Sequence, residues 1–279
     1  MKIGLIGFGE AGEMFGRYLS TLADVKAFDI NADSSMREKA SAANIELCMS
    51  LQNVTLNADY ILSLVTADQA EAAAKAAAPY LSRQQYYLEM NSAAPQTKLK
   101  NARLIPGLVD VAIMAPVNPS KQTVPLCVAH IKADHICKDL KALGLDARSV
   151  GTEIGQAAAI KLCRSIFIKG LEALTIEGLS TAYHYDVQEE VLASLNNTFP
   201  DMDWGGWQAD YNFERVATHG RRRAAEMREA GHTVAAAGLK PILSEAIAKV
   251  QDDFVSDVEG TDKLQLGTWM QILDQLKND

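Results

Sequence analysis

The stretch Ile3-Gly4-Leu5-Ile6-Gly7-Phe8-Gly9-Glu10-Ala11-Gly12 decides how this chain is read. Its apolar start has the form of a buried strand, and Gly7, Gly9 and Gly12 follow at GxGxxG spacing, after that strand and at the opening of a helix. Gly7 permits a tight turn and Gly9 lets backbone approach a pyrophosphate. Gly12 allows close helix–strand packing while helix N–H groups face the phosphates. Gly7, Phe8, Gly9, Glu10, Ala11 and Gly12 are therefore candidate contacts to a dinucleotide. A second candidate strand ends at Ala27-Phe28-Asp29, which sets a carboxylate about 20 residues beyond the glycines, where it can accept a ribose 2′-OH. That favours NAD; Ser34, Ser35 and Arg37 follow closely and keep NADP open should Asp29 turn away. The competing reading of the glycines is a tight turn with no ligand.

Working outward, the chain alternates short β-branched runs with Ala-rich helical stretches to about residue 150, the pattern of a parallel sheet wound with helices. Candidate strands are 2–6, 25–30, 59–65, 86–90, 108–114, 126–131 and 146–150, with helices at 10–22, 33–43, 67–81 and 134–143. Pro116, Asn118, Pro119 and Ser120 read as a loop. From Gly151 onward no strand pattern returns: a long helix is expected from Glu153 to Tyr183, then 187–196, 208–236 with room for a break at His219-Gly220, 240–255 and 262–276. The expected architecture is a doubly wound, mostly parallel α/β Rossmann domain over 1–152 and an all-α domain over 153–279. Within the first, Leu62-Ser63-Leu64-Val65-Thr66 ends a strand at the carboxyl edge of the sheet, so Val65, Thr66 and Ala67 are expected along the cofactor, unless Thr66 is simply a helix N-cap.

Composition narrows the function classes. A chain of 279 residues, 48% hydrophobic and 22% charged, supports two cores and argues against disorder. A formal charge of −8 disfavours nucleic acid, which needs clustered basic surface. Cys48, Cys127, Cys137 and Cys163 form no CxxC pair, the histidines form no HExxH helix, and no metal site is expected. Glu10 and Glu13 interrupt the apolar start before a signal-peptide core forms, so a cytoplasmic protein without a membrane partner is expected.

In the long helix, Lys161, Arg164, Ser165 and Lys169 recur at helical spacing among apolar residues. Facing a cleft, such a stripe supplies a proton-transfer amine at Lys161 with a hydroxyl one turn on at Ser165, while Arg164 and Lys169 attract a substrate carboxylate or phosphate. A solvated helix face carrying incidental cations fits the same spacing.

The glycine fingerprint, the strand-ending Asp29, the Lys161 helix and the helical remainder together resemble the β-hydroxyacid dehydrogenase family, which includes 3-hydroxyisobutyrate, tartronate semialdehyde and 6-phosphogluconate dehydrogenases. The stretches Lys161-x-x-Arg164-Ser165, Lys169-Gly170 and His219-Gly220-Arg221-Arg222-Arg223-x-x-Glu226-Met227 look like the phosphogluconate dehydrogenase-like branch with a DUF1932 helical domain. The resemblance implies hydride exchange between NAD and the carbinol carbon of a small anionic hydroxy-acid-like substrate, with Lys161 as general acid and base.

Gly155 and Lys161 match the family signature, while Ser165 stands where its Asn is expected. The family's substrate loop Asp-x-Pro-Val-Ser-Gly appears as Asp110-Val111-Ala112-Ile113-Met114-Ala115, which leaves backbone N–H groups at Met114 and Ala115 for a carboxylate and removes the hydroxyl donor. Glu89-Met90-Asn91-Ser92-Ala93-Ala94-Pro95 is similar to the family's Asp-x-Ser-Thr-x-x-Pro, implying Asn91 and Ser92 beside the nicotinamide; a turn with an N-cap is the plainer alternative. Arg222 and Arg223 stand in for the family's late cation, against the simpler reading of a solvated basic run. Trp204 and Trp207 more readily seal a helix or subunit contact than line a pocket. A homodimer through the helical domains is implied as well. Two other readings stay open: a non-catalytic dinucleotide-binding redox sensor, favoured by Met114 and Ser165, and reduction of a C=N bond, which Lys161 weighs against.

Overall fold

Eight short strands build one sheet in the computed structural model, which describes residues 1–115, 124–261 and 265–277. In chain order they are β1 (Lys2–Ile6), β2 (Asp24–Phe28), β3 (Glu46–Leu47), β4 (Tyr60–Ser63), β5 (Tyr86–Glu89), β6 (Leu108–Ile113), β7 (Leu126–Ala129) and β8 (Ala147–Gly151). Their spatial order is β3-β2-β1-β4-β5-β6-β7-β8, parallel throughout except for the antiparallel β6–β7 pair. The order reverses between β1 and β4, and ligands of open α/β sheets bind beyond the carboxyl ends of strands at such a switch point.

The chain divides into two compact units, Met1–Leu162 and Cys163–Asp279. In the first, α1 (Glu10–Leu19), α2 (Ser34–Ala42), α3 (Leu51–Thr55), α4 (Ala70–Ala77), α5 (Pro95–Leu104) and α6 (Ala133–Ala142) accompany the sheet. β1, β4 and β6 bury nearly every residue, as strands covered on both faces must. Leu5, Phe8, Phe15, Leu62, Leu88 and Val109 are among those that fill the core on one side, Ile6, Val54, Ile61 and Tyr87 on the other.

The remaining helices are α7 (Gln156–His184), α8 (Gln188–Thr198), α9 (Trp207–Ala236), α10 (Ile242–Gly260) and α11 (Trp269–Lys277). The second unit closes over Ile176, Leu179, Phe213, Val216, Phe254 and Trp269, with Phe213 and Phe254 edge to face at 5.5 Å. None of the described helices is long and apolar enough to cross a membrane.

Several expectations need correction. β3, α3 and α5 are not among the elements expected from the sequence; α3 is little more than one turn and is capped by Ser50, whose hydroxyl accepts from the Asn53 N–H at 3.2 Å. The helix expected over 67–81 is α4 flanked by tight 3-10 turns at Ala67–Gln69 and Ala78–Tyr80, the second containing Pro79, which cannot donate to a continuing helix. α1 stops at Leu19, and β2, β4 and β7 end at Phe28, Ser63 and Ala129, short of their expected limits. α9 runs unbroken through His219-Gly220: a Cβ on Gly220 would lie 2.2 Å from Val255 Cγ2, so this glycine admits α10 rather than breaking the helix. The last helix begins at Trp269, whereas 262–264 of the expected span, and the loop at Pro116, Asn118, Pro119 and Ser120, lie outside the described residues.

Candidate active site

The turn after β1 is built as its glycines demand. Gly7 has φ 95°, in the region open to glycine, and a Cβ there would meet Leu64 O at 2.6 Å. A Cβ on Gly12 would meet Gly7 O at 2.2 Å, so α1 sits directly against the turn. At Gly9 a Cβ would meet nothing within 4 Å; this is the open side of the turn, and Glu10 and Ala11 begin α1 beside it. Such a cradle, opening onto the N–H groups of a helix start, fits a dinucleotide pyrophosphate. The expectation that Phe8 contacts the cofactor is corrected: its ring is in the core, and its N–H donates to Asp29 Oδ2 at 2.7 Å. The other Asp29 oxygen accepts from Asn31 N–H at 2.8 Å, so the carboxylate is anchored at the end of β2.

Along the carboxyl edge, the Val65 N–H donates to Asn91 Oδ1 at 2.7 Å, and the Asn91 amide nitrogen donates to Ser63 Oγ at 3.0 Å and to Glu89 Oε1. Asn91 is buried and all its amide positions are engaged, so its side chain ties the β4 and β5 ends together. Thr66 fills the cap position of the following turn without a side-chain cap bond, and the nearby Thr66 hydroxyl and Gln69 amide hold the Asp68 carboxyl below its ordinary range. Met114 and Ala115 follow β6 and are half-buried. The Met114 N–H donates to Pro125 O at 2.9 Å, so the expectation that it meets a substrate carboxylate is corrected: the sheet uses that donor.

Two residues far apart in sequence meet. Lys161 Nζ donates to Ser92 Oγ at 2.6 Å, and both groups belong to the first unit. Ser92 lies just beyond β5 and Lys161 in the second turn of α7. An ammonium and a hydroxyl at this distance form a pair through which a proton can pass to or from a bound alcohol oxygen.

Beneath them lies a cluster the sequence reading missed. Lys98 on α5 has no exposed side-chain surface; its ammonium donates to Glu89 O at 2.7 Å and Val111 O at 2.9 Å, and pairs with Asp110 Oδ1 at 2.9 Å and Glu89 Oε2 at 3.3 Å. Burial pushes the Glu89 carboxyl above its usual range although the Lys98 ammonium opposes it. The two carboxylates outweigh burial at Lys98 and raise its ammonium above the ordinary lysine value.

The remaining candidates belong to the second unit. Lys169 Nζ donates to Ser165 Oγ at 3.3 Å and pairs with Glu226 Oε2 at 2.8 Å; Ser165 and Lys169 are both buried. Arg164 and Arg222 are exposed. The three-arginine run is not one solvated patch. Arg221 pairs with Glu259 and Asp252 of α10, while Arg223 is buried against Glu172, on which Gln251 also converges. Trp204 packs against Phe199 at 6.0 Å, and the Trp207 ring stands exposed near Tyr211.

Residues 2–118 match the model of the NAD binding domain of 6-phosphogluconate dehydrogenase, and residues 182–254 match the domain of unknown function DUF1932. A conserved hypothetical protein from Sinorhizobium meliloti is 33% identical, with a TM-score of 0.81 over 100% of this chain and 96% of its own. The chain belongs to the β-hydroxyacid dehydrogenase family, in the branch with a DUF1932 domain. A conserved protein of unknown function, described as structurally similar to 3-hydroxyacid dehydrogenases, is 27% identical over 93% of this chain and 98% of its own, with a TM-score of 0.76. The 3-hydroxyisobutyrate dehydrogenase of Mycobacterium tuberculosis, solved with L-serine, shares the fold at 13% identity, with a TM-score of 0.76 over 99% of this chain and 98% of its own. Membership makes this β-hydroxyacid dehydrogenase relative an NAD(P)-binding, oxidoreductase-type protein.

Proposed function

We propose that the protein exchanges a hydride between a nicotinamide dinucleotide and the carbinol carbon of a small anionic 3-hydroxy acid or sugar acid, with Lys161 moving the proton. The observation that carries this reading is the 2.6 Å contact between Lys161 Nζ and Ser92 Oγ. When bound, the dinucleotide supplies the hydride acceptor or donor. Gly7, Gly9, Gly12 and the start of α1 would hold its pyrophosphate, Asp29 its ribose, and Val65 and Thr66 would border it. As the alcohol is oxidised, the C–H hydrogen leaves with its electron pair and the hydroxyl proton passes to the Lys161 amine. Reduction returns that proton to the carbonyl oxygen. Ser92 orients the oxygen through its hydroxyl.

NAD is the proposed cofactor, because both Asp29 oxygens accept backbone N–H bonds that keep the carboxylate where a 2′-phosphate would be repelled. For the substrate's acid group the sequence offers Arg164, Lys169 and Arg222. Lys169 is buried against Glu226, whereas Arg164 and Arg222 are exposed to an incoming ligand, so these two guanidinium groups are the cations to test. A cytoplasmic homodimer joined through helical domains is part of the proposal, supported by Phe167 and Leu174, two turns apart on α7 and 79% and 70% exposed.

A panel of 3-hydroxy acids and sugar acids assayed with NAD and NADP in parallel tests the reading. On any substrate found, Lys161→Ala should lower turnover by about a hundredfold while leaving dinucleotide affinity unchanged. Turnover near the parent value would remove Lys161 from the chemistry.

A further inference from the structure

The proton-transfer pair is only as good as the two backbones that present it, and both refer to the same buried charges. A lysine ammonium has three protons to donate and cannot shed them to water at zero exposure. Those of Lys98 go to the carbonyls of Glu89 and Val111 and toward the Asp110 carboxylate, so one cation clips the carboxyl end of β5 to β6. Asp110 has a second oxygen, and it accepts from the N–H groups of Gly155 at 2.9 Å, Ala157 at 2.9 Å and Ala158 at 3.2 Å. These belong to the start of α7, where backbone donors have no intrahelical acceptor and where the helix dipole favours negative charge. Lys161 follows one turn later.

The other member of the pair is tied to the cluster from the opposite side. Ser92 follows Asn91, whose N–H and side-chain amide both donate to Glu89 Oε1. Gly155 completes the fit. With φ 103° it takes a conformation L side chains rarely adopt, and a Cβ there would press on Pro95 Cβ at 3.1 Å, at the first residue of the helix that carries Lys98.

We propose that the buried Glu89–Lys98–Asp110 cluster is the positioning element of the proton-transfer pair, with Asp110 the residue that fixes the α7 start so that the Lys161 amine meets the Ser92 hydroxyl. The inference rests on the reading of Lys161 as the proton-transfer group. None of the three residues is a catalytic residue; they act through the backbone of β5, β6 and α7.

The test uses the full-length protein without substrate. Reductive methylation with 13C-formaldehyde gives each accessible lysine a dimethylamine resonance, and that of Lys161 is identified by its loss in Lys161→Arg. Asp110→Asn keeps the side-chain shape and leaves Lys98 with Glu89 and two carbonyls. The expected result is displacement of the Lys161 resonance by more than its linewidth, with the other lysine resonances and NADH affinity unchanged. Superposition of the Lys161 resonance on that of the parent overturns the proposal.

A second measurement needs no variant. The Gly155, Ala157 and Ala158 amides of the parent should exchange with deuterium far more slowly than uncapped first-turn amides, and rapid exchange overturns the proposal whether or not Asp110→Asn folds. Neither readout depends on turnover, so a failed Lys161→Ala assay and a failed positioning test are told apart.

Discussion

Each of the two units buries a cluster of charged side chains, and the clusters do different work. In the first unit Lys98 donates to strand carbonyls and Asp110 accepts from helix amides, so the charges hold backbone at the carboxyl edge of the sheet. In the helical unit Arg223, Glu172 and Gln251 bond side chain to side chain between α9, α7 and α10, and Lys169 meets Glu226 in the same manner. The second arrangement fixes how helices pack. The first fixes where main-chain groups lie, and an apolar replacement cannot imitate that.

Removing one cation from either cluster should produce the largest effects. Lys98→Met and Arg223→Met each leave buried carboxylates unpaired and should lower unfolding free energy by about 3–5 kcal/mol, measured by urea denaturation. The comparison sharpens when whole clusters are replaced. Changing Arg223, Glu172 and Gln251 together to Met, Leu and Leu should return stability to near the parent value. The analogous replacement of Lys98, Glu89 and Asp110 should not, because the α7 amides then lose their acceptor.

The pH dependence has a definite sign. Burial already holds Glu89 above the ordinary carboxylate value, so its contribution to stability is full below that value and is lost as pH rises through the raised one. Without the Lys98 ammonium the raising is stronger. The Lys98→Met deficit should therefore widen as pH rises above the ordinary carboxylate range, and a flat difference would mean Glu89 is not the group responsible.

Next in size is Gly155→Ala, which forces an L side chain to φ 103° against Pro95 and should lower stability by about 1–3 kcal/mol in thermal unfolding. The smallest change in stability is expected at Gly9, on the open side of the fingerprint. Gly9→Ala puts its methyl into open space and should alter stability by about 1 kcal/mol or less while weakening NADH binding in a fluorescence titration. Gly12→Ala drives a methyl into Gly7 O and should reduce both. Equal effects of the two would refute the assignment of Gly9 to the cofactor side.

Much of this was legible in the residues. The glycine turn, the strand-ending Asp29 and nine of the eleven helices among the described residues follow from periodicity and turn chemistry, because apolar runs of β1, β4 and β6 have one reading when flanked by such signals. α5 was hidden because the side chains it buries include Lys98 and Asn101, so its polar sequence looked like loop. The role of Lys98 was unreadable for the same reason: it depends on Glu89 and Asp110, which only the strand order brings beside it. Ser92 comes from the family pattern and Lys161 from the helical stripe, but the same stripe offers Ser165 and Lys169 as site groups although Lys169 has its own carboxylate partner on α9. An amphipathic stripe does not say whether its charges face a ligand or another helix.

The tethering of Asp29 bears on how cofactor preference could change in descendants of this sequence. In a chain where the acid touched only ribose, a single replacement by a small residue would open room for a 2′-phosphate at little structural cost. Here the same replacement also strips acceptors from the Phe8 and Asn31 amides, one of them inside the glycine turn. On the proposed use of NAD, a switch toward the phosphorylated dinucleotide would thus need a coupled change that restores those two backbone bonds.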